Sequence, residues 1–329
     1  MSALIADLAS EVVACAVDAC WRQWRALAAT GPAAEESLPP SILDPEALVL
    51  LSLAVRHHER RLEDQLRWFA AAGSSLLSVQ RMRTLLGDYP SHLRQGVAWF
   101  ATMPIEAGDT RWRALTGSAL ATEAGRQGKG PRELQLFAPS TLMLRLRAGI
   151  GVGARADLLA FLLGLSATPR EHAPRASVEV IATATAYSVA SVRRAATEMV
   201  MAGLLAESVE RPAQFSVDVG AWTTLLKLRD AAQKRVSSGT GSTSVPPWRY
   251  WAQMFSFVAA VIELGEDAKF ARLEPVVQAS RLSDLAERFR RPLAWNGIEW
   301  LDPRRYPGER YLDAFKATID SVVEWVGSN

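Results

Sequence analysis

The sequence contains few of the residues that most often carry chemistry. Among its 329 residues there are only two cysteines, Cys15 and Cys20, and four histidines. The cysteines stand five positions apart in an apolar-periodic segment, so a helix places them off a common face and we expect two free, buried thiols. No G-x-S-x-G elbow occurs, and the carboxylates are scattered in helix-surface patterns. We therefore expect a protein that is not an enzyme and that uses no cofactor.

The histidines form no recognised metal-binding motif. His57 and His58 are adjacent and have carboxylates nearby, but the H-E-x-x-H spacing is absent. Because adjacent side chains on a helix point away from one another, we interpret the pair as a solvated helix end. His92 and His172 are isolated. We expect no metal.

A strong charge of one sign and a long apolar run are also missing. The formal net charge is +2, so a nucleic-acid surface has to come from local clustering. The most apolar run, 251–264, is interrupted by polar residues and is shorter than the roughly 20 residues of a membrane-spanning helix. The N-terminus lacks the basic region of a signal peptide. We expect a folded cytoplasmic protein without membrane contact, and its bias towards arginine and alanine favours a bacterial source.

Breaks in the helical periodicity divide the chain into five predicted units. They are an N-terminal helical domain at 1–102, a basic connecting segment at 103–148, a central domain at 149–230, a linker at 231–247 and a Trp-rich helical segment at 248–329. The linker combines Gly/Ser flexibility with a double proline. The tryptophans of the last segment suit an aromatic ligand pocket, core packing or a dimer interface equally well.

The stretch 44–87 predicts three helices, with Asp44 capping the first and Ser78 capping the third. We consider it a possible second helix-turn-helix; a plain helical packing unit is the alternative. In the helix-turn-helix interpretation three side chains point outward: Gln80, Arg81 and Arg83.

The clearest basic cluster lies between Arg111 and Arg147. This stretch contains seven Lys/Arg residues and only two glutamates. Within it, the glycine-rich loop GRQGKGPR contributes Arg126, Lys129 and Arg132. We expect this segment to supply positive charge to a DNA-binding surface.

The stretch SVEVIATATAYSVASVRRAATEMVMAGL, 177–204, predicts two helices joined at Ala186-Tyr187. Ser188 is placed to cap the second helix. The spacing predicts that six side chains face inward: Val178, Ile181, Ala182, Val192, Ala195 and Met199. Gly203 stands where a helix ends, and the sequence beyond it predicts a two-stranded hairpin.

Residues 155–218 resemble the winged helix-turn-helix of bacterial regulators and are similar to the MarR and ArsR groups. The similarity rests on an Ile-Ala pair in the first motif helix, a Ser-capped second helix with a core valine, and an Ala-Gly-Leu exit into the wing. The resemblance implies a winged helix-turn-helix of three helices and a β-hairpin wing. Together with the helical patterns on both sides, we expect a mainly α, multidomain helical protein with this domain at its centre.

The resemblance also implies that a recognition helix from Ser188 to Ala202 enters the major groove of double-stranded DNA. The implied contacts come from Tyr187, Ser188, Ala190, Ser191, Arg193, Arg194, Thr197 and Arg211. The serines would bind phosphate, the adjacent arginines base edges or phosphate, and Arg211 at the hairpin tip the backbone or the minor groove. Residues 155–218 contain six arginines and seven carboxylates, so the supporting charge is expected from the basic segment.

The leading hypothesis is therefore a DNA-binding transcriptional regulator. It would be a homodimer through its outer helical segments and would respond to a small-molecule effector or a protein partner. The alternative is a protein-interaction component, an antitoxin-like or defence-system partner, that uses the winged helix for protein contact or for regulation of its own operon.

Overall fold

The structure is a computed structural model that describes residues 2–27, 38–116, 133–167, 174–228 and 245–329. It is mainly helical with one small sheet, which confirms the predicted fold class at that level. None of the helices in these ranges combines the length and the apolar character that crossing a bilayer requires.

The helices and strands follow one another in three groups. The first contains α1 (Ser2–Leu27), α2 (Pro45–Val55), α3 (Arg61–Ala72), α4 (Val79–Leu85) and α5 (Leu93–Glu106). The second contains α6 (Leu142–Ile150), α7 (Ala154–Ser166), β1 (Ala176–Ser177), α8 (Val178–Thr185), α9 (Val189–Met201), β2 (Ala206–Glu207), β3 (Gln214–Ser216) and α10 (Val219–Leu225). The third contains α11 (Trp251–Glu266), α12 (Pro275–Arg288), α13 (Arg290–Trp295) and α14 (Arg310–Ser328).

The predicted helix caps are present. The Asp44 carboxylate accepts a hydrogen bond from the backbone N–H of Ala47 at 3.1 Å, and Pro45 occupies the first helical position of α2. The Ser78 hydroxyl accepts from the N–H of Arg81 at 3.2 Å at the start of α4. Each cap satisfies a backbone donor that the first turn of a helix leaves without a partner.

The first and third groups of helices share one hydrophobic core, although the breaks in periodicity predict separate units. The apolar face of α1 packs against α11 and α14, and α2 packs against α11. Trp251 of α11 lies edge-on to Trp325 of α14, with 4.8 Å between ring centroids. The Tyr89 hydroxyl donates to the carbonyl of Ala252 at 3.0 Å. The C-terminal helices therefore complete the hydrophobic core of the N-terminal ones.

A second core is formed by the elements of the middle group, from α6 to α10. Trp248 joins this core from the far end of the predicted linker and lies edge-on to Phe161 at 5.4 Å. Its backbone N–H donates to the carbonyl of Gly164 at 3.1 Å. A Cβ at Gly164 would lie 2.7 Å from that same nitrogen, so this close approach requires glycine.

The tryptophans of the last segment are divided between these environments and do not line one shared pocket. Trp251 and Trp325 pack on the first core, and Trp248 belongs to the second. Trp295 is exposed beside the ring of Tyr250, and the Trp300 ring lies under the guanidinium of Arg290.

The sheet is antiparallel and has the strand order β1-β3-β2. Ala206 pairs with Ser216 across the predicted hairpin, and Ala176 of β1 pairs with Phe215. The hairpin is confirmed, whereas β1 had no sequence signal because it is only two residues long. Phe215, between the two outer strands, is buried in the second core.

Both cysteines are free. Cys20 is buried beside Ser52 of α2, and Cys15 is half-buried beside Val323 of α14. Burial raises the pKa of Cys20 to about 12 and that of Cys15 to about 11. Both thiols therefore stay protonated near neutral pH, which suits core residues and not nucleophiles.

Gly164→Ala is predicted to lower the free energy of unfolding by about 1–3 kcal/mol, because the added methyl group meets the Trp248 backbone. Gly149→Ala, on exposed α6 backbone with nothing within 4 Å of the added carbon, is the matched control. We expect it to be neutral or to stabilise by up to about 1 kcal/mol. Urea-induced unfolding of both variants measures the difference, and equal stabilities would contradict this packing.

Candidate functional site

Helices α8 and α9 meet at a tight turn, as the sequence predicts. Ala186 ends α8 in the left-handed conformation with φ 56°, and the chain then turns into α9. The Ser188 hydroxyl accepts a hydrogen bond from the N–H of Ser191 at 3.2 Å and so caps α9. All six side chains predicted to face inward are buried. The inner face of the helix pair is therefore fixed by packing.

The outer face of α9 presents small side chains and two arginines to solvent. Five of the predicted contact residues at α9 and its cap are exposed, and one is half-buried. The exposed ones are Ser188, Ala190, Arg193, Arg194 and Thr197, and the half-buried one is Ser191. Arg211 is exposed between β2 and β3. These side chains can reach a molecule that approaches α9 and the hairpin from outside.

Tyr187 does not belong to this surface, which corrects its prediction as a DNA contact. Its side chain is buried in the second core. Burial, and then the nearby charge of Asp157, raises the pKa of the Tyr187 phenol above its ordinary value. Although Tyr187 comes directly after the turn, its ring packs inward against the helices that support α9.

The charges around α9 are balanced. Arg193 lies 4.0 Å from the carboxylate of Glu179, and the Arg155 Nε donates to Glu198 at 2.7 Å. The exposed or half-buried ionised groups described between 155 and 218 are five arginines and five carboxylates: Arg155, Arg175, Arg193, Arg194, Arg211, Glu179, Glu198, Glu207, Glu210 and Asp218. The surface of this unit is therefore close to neutral as a whole. Among its described residues, the arginines without an ion pair are Arg175, Arg194 and Arg211.

The basic segment contributes less to the described surface than its sequence predicts. Arg126, Lys129 and Arg132 lie outside the described residues. Arg147, the last member of the predicted cluster, is buried. Arg111 is held by Asp109 through its Nε at 2.9 Å.

Arg147 belongs instead to a buried group of five charged side chains, here called the ionic cluster: Asp44, Glu46, Arg81, Arg147 and Asp157. Arg147 donates to both oxygens of Asp157, at 2.7 Å from Nε and 2.7 Å from Nη2. Its Nη1 donates to Glu46 at 2.6 Å. Arg81 donates to Asp44 with both terminal nitrogens and to Glu46 at 2.5 Å.

The backbone around the ionic cluster completes its hydrogen bonding. The N–H of Ser78 donates to Glu46 at 2.7 Å, and the carbonyl of Leu76 accepts from Arg147 at 2.9 Å. The Arg81 Nε donates to the carbonyl of Thr185 at 2.7 Å, in the last turn of α8. The ionic cluster thereby connects α2 and α4 of the first group to α6, α7 and α8 of the second.

Burial and charge act against each other in the ionic cluster. Burial raises the pKa of the Glu46 carboxyl, but the charges of Arg147 and Arg81 outweigh burial and hold this pKa below its usual value. At Asp157 burial raises the pKa more than Arg147 lowers it. The pKa values of Glu46 and Asp157 shift in opposite directions because Glu46 contacts both guanidinium groups, whereas Asp157 contacts only that of Arg147.

The ionic cluster also corrects the outward placement of Arg81 in the possible second helix-turn-helix. Gln80 and Arg83 are exposed, but Arg81 is completely buried and every residue of α2 is buried as well. Of the three side chains predicted to point outward from the third helix of 44–87, Arg81 thus packs into the core. No periodicity could show this, because the partners of Arg81 are distant along the chain.

The orientation of His57 and His58 also differs from the expectation. Helix α2 ends at Val55, so the two histidines lie in the following turn and not on a helix. Their ring centroids are 4.0 Å apart, and both Nε2 atoms approach the same oxygen of Glu266, at 2.9 and 2.7 Å. The rings therefore converge instead of pointing apart, although they remain exposed.

The chain matches no protein-family model, and no curated protein and no solved structure shows significant similarity to it.

Glu46→Gln is predicted to lower the free energy of unfolding by about 1–3 kcal/mol at pH 7, because it removes the carboxylate that bridges the two buried guanidinium groups and leaves Arg81 only Asp44, and Arg147 only Asp157, as a charged partner. A carboxyl whose pKa is lowered by folding stabilises the protein above its unfolded-state pKa and loses this effect as the pH falls through the folded-state pKa. The difference between the proteins should therefore shrink below about pH 4.5, the ordinary value for glutamate.

Chemical denaturation at several pH values measures this dependence. Glu287→Gln, which removes one partner of an exposed pair with Arg290, is the control and should stay within experimental error of the unchanged protein at every pH. A Glu46→Gln effect that is absent at pH 7, or that grows on acidification, would contradict the charge assignment.

Proposed function

We propose that this protein is a DNA-binding transcriptional regulator that uses the 155–218 unit as a winged helix-turn-helix. In this proposal α7, α8 and α9 are its three helices, β2 and β3 form the wing, and α9 is the recognition helix. The observation that carries the proposal is the exposed outer face of α9, where small side chains flank the adjacent Arg193 and Arg194.

The shape of this face supports insertion into a major groove. Ser188 and Ala190 open the face at the N-terminal end of α9 and are too small to collide with bases. The first backbone N–H groups of α9 and the positive end of the helix dipole favour a phosphate at the same end. The arginines follow within the first two turns, where side chains of a recognition helix contact base edges.

Fixed support for α8 and α9 also favours the proposal. Arg81 bonds to the last turn of α8, and Gln253 of α11 donates to the carbonyl of Thr183 at 3.0 Å. Two long-range hydrogen bonds thus hold the helix that precedes α9 against both other helix groups. Because α9 packs on this fixed helix, its backbone loses less conformational entropy on binding DNA, which favours affinity.

The balanced charge of the unit sets the binding mode. Because positive charge is confined to a few arginines, we expect few phosphate contacts and a shallow dependence of affinity on salt for one chain. A homodimer that binds two half-sites would double the number of neutralised phosphates. In this proposal the protein acts in the cytoplasm, and occupancy of its operator responds to an effector or a partner.

The double variant Arg193→Ala/Arg194→Ala is predicted to weaken binding to the upstream DNA of the protein's own gene by at least tenfold. The reason is that a single arginine bound to guanine contributes about 1–3 kcal/mol of discrimination. Fluorescence anisotropy with the upstream duplex and a scrambled duplex, at several salt concentrations, measures this. The preference for the upstream duplex should disappear, and the salt slope should decrease by about 1 for each phosphate that an arginine no longer neutralises.

Arg304→Ala/Arg305→Ala is the matched control, since it removes the same charge from two adjacent exposed arginines outside the unit. It should leave the affinity nearly unchanged. Equal, weak binding of both duplexes by all three proteins would overturn the proposed function.

A second candidate function is protein contact through the same unit. Five of its large apolar side chains are exposed: Val180, Val189, Met201, Leu204 and Val209. Met201 at the end of α9 is 84% exposed and Val209 in the hairpin 99% exposed. Exposed apolar side chains next to balanced charges suit a protein partner better than a phosphate backbone.

Met201→Glu/Val209→Glu separates the two candidates. If the unit binds a protein, this variant loses its complex with the product of the adjacent gene, while Arg193→Ala/Arg194→Ala keeps it. Size-exclusion chromatography of the two co-expressed proteins measures the complex. DNA binding that survives Met201→Glu/Val209→Glu, together with no complex for the unchanged protein, would reject the second candidate.

A further inference from the structure

Three side chains outside the 155–218 unit converge at one point on the surface. His57 and His58 come from the turn after α2, and Glu266 is the last residue of α11. One donor atom from each, the two Nε2 atoms and a carboxylate oxygen, all lie within 4.8 Å of one another. The sequence separation of more than 200 residues means that the fold assembles this group, here called the His-His-Glu group.

The donor chemistry of the His-His-Glu group matches Zn²⁺ and its first-row neighbours. These ions combine imidazole nitrogen with carboxylate oxygen, whereas Mg²⁺ and Ca²⁺ prefer oxygen ligands throughout. Ligand atoms around tetrahedral zinc are about 3.3 Å apart, given bond lengths of about 2.0–2.1 Å. The present separations of 2.9 and 2.7 Å between each Nε2 and the Glu266 oxygen need to open by only a few tenths of an ångström.

The surroundings leave room for an ion. The side chains of His57, His58 and Glu266 are 52%, 35% and 42% exposed, so an ion can enter from solvent and bind water in the remaining position. Among the described residues, the ion pairs of Glu266 are with these two histidines and with no arginine or lysine. With neutral histidines, the carboxylate charge is thus available to a cation.

A simple histidine–glutamate pair lies next to the His-His-Glu group on the same helix. Glu263, one turn earlier on α11, accepts from a single histidine, His92, at 3.1 Å. This pair is as exposed as the His-His-Glu group but offers only two ligands. It therefore provides an internal reference for affinity.

We propose that His57, His58 and Glu266 bind one Zn²⁺ ion, which joins the end of α2 to the end of α11. Each imidazole then coordinates through Nε2 and keeps its proton on Nδ1, and Glu266 supplies the third ligand. Because α2 and α11 belong to the same core, the bound ion stabilises the packing of the first helix group on the third. This site is independent of the proposed DNA-binding surface.

The test uses the full chain without an affinity tag, freed of metal with a chelator and then titrated with Zn²⁺ by isothermal calorimetry. We expect one Zn²⁺ per chain at micromolar affinity, no binding of Mg²⁺, and a rise of several degrees in the thermal unfolding midpoint with saturating Zn²⁺. His57→Gln/His58→Gln should weaken Zn²⁺ binding at least tenfold, and Glu266→Gln should also weaken it. His92→Gln is the matched control and should bind as the unchanged protein does.

Two results would overturn the proposal. One is the absence of Zn²⁺ binding by the unchanged protein. The other is an affinity that persists in both His57→Gln/His58→Gln and Glu266→Gln, which would assign the ion to other ligands. Circular dichroism of the variants shows that they are folded, and their exposed positions make misfolding an unexpected outcome.

Discussion

The arrangement of the whole molecule depends on the buried ionic cluster. Its five side chains come from α2 and its cap, α4, α6 and α7, and all of them are buried. Such a cluster adds little net stability, because the desolvation of each ion opposes the attraction between them. It instead fixes geometry, since a displaced member would leave an uncompensated charge in the core. The bond from Arg81 to the Thr185 carbonyl extends this constraint to α8.

The ionic cluster also holds the two hydrophobic cores against each other. The first core is closed by the C-terminal helices, and the second supports α8, α9 and the small sheet. The ionic cluster joins the two, and Trp248, which precedes α11 in the chain, packs against Gly164 of the second core. Helix α9 is thereby presented with its inner face packed and its outer face free, which is the arrangement that our proposed function uses.

Local signals in the sequence were enough to predict the helix caps at Asp44, Ser78 and Ser188, the turn at Ala186 and the inward faces of α8 and α9. These features depend on residues a few positions apart, where helical geometry connects sequence to structure directly. Arg81 and Arg147 were misjudged because Glu46, the partner that they share, lies 35 and 101 positions away along the chain. The orientation of the two adjacent histidines was misjudged because α2 ends before them. A buried arginine and an exposed one look alike in a sequence, and Tyr187 shows that a residue next to an exposed cap can still point into the core.

The most direct test of the central claim, that the outer face of α9 binds a specific DNA sequence, is selection from a random duplex library followed by sequencing. We expect enrichment of a site with two related half-sites, spaced by about 10 base pairs or a multiple of it, as two symmetric recognition helices require. Positions contacted by Arg193 and Arg194 should lose their base preference when the selection is repeated with both residues changed to alanine. Recovery of no enriched sequence by folded protein would contradict the claim.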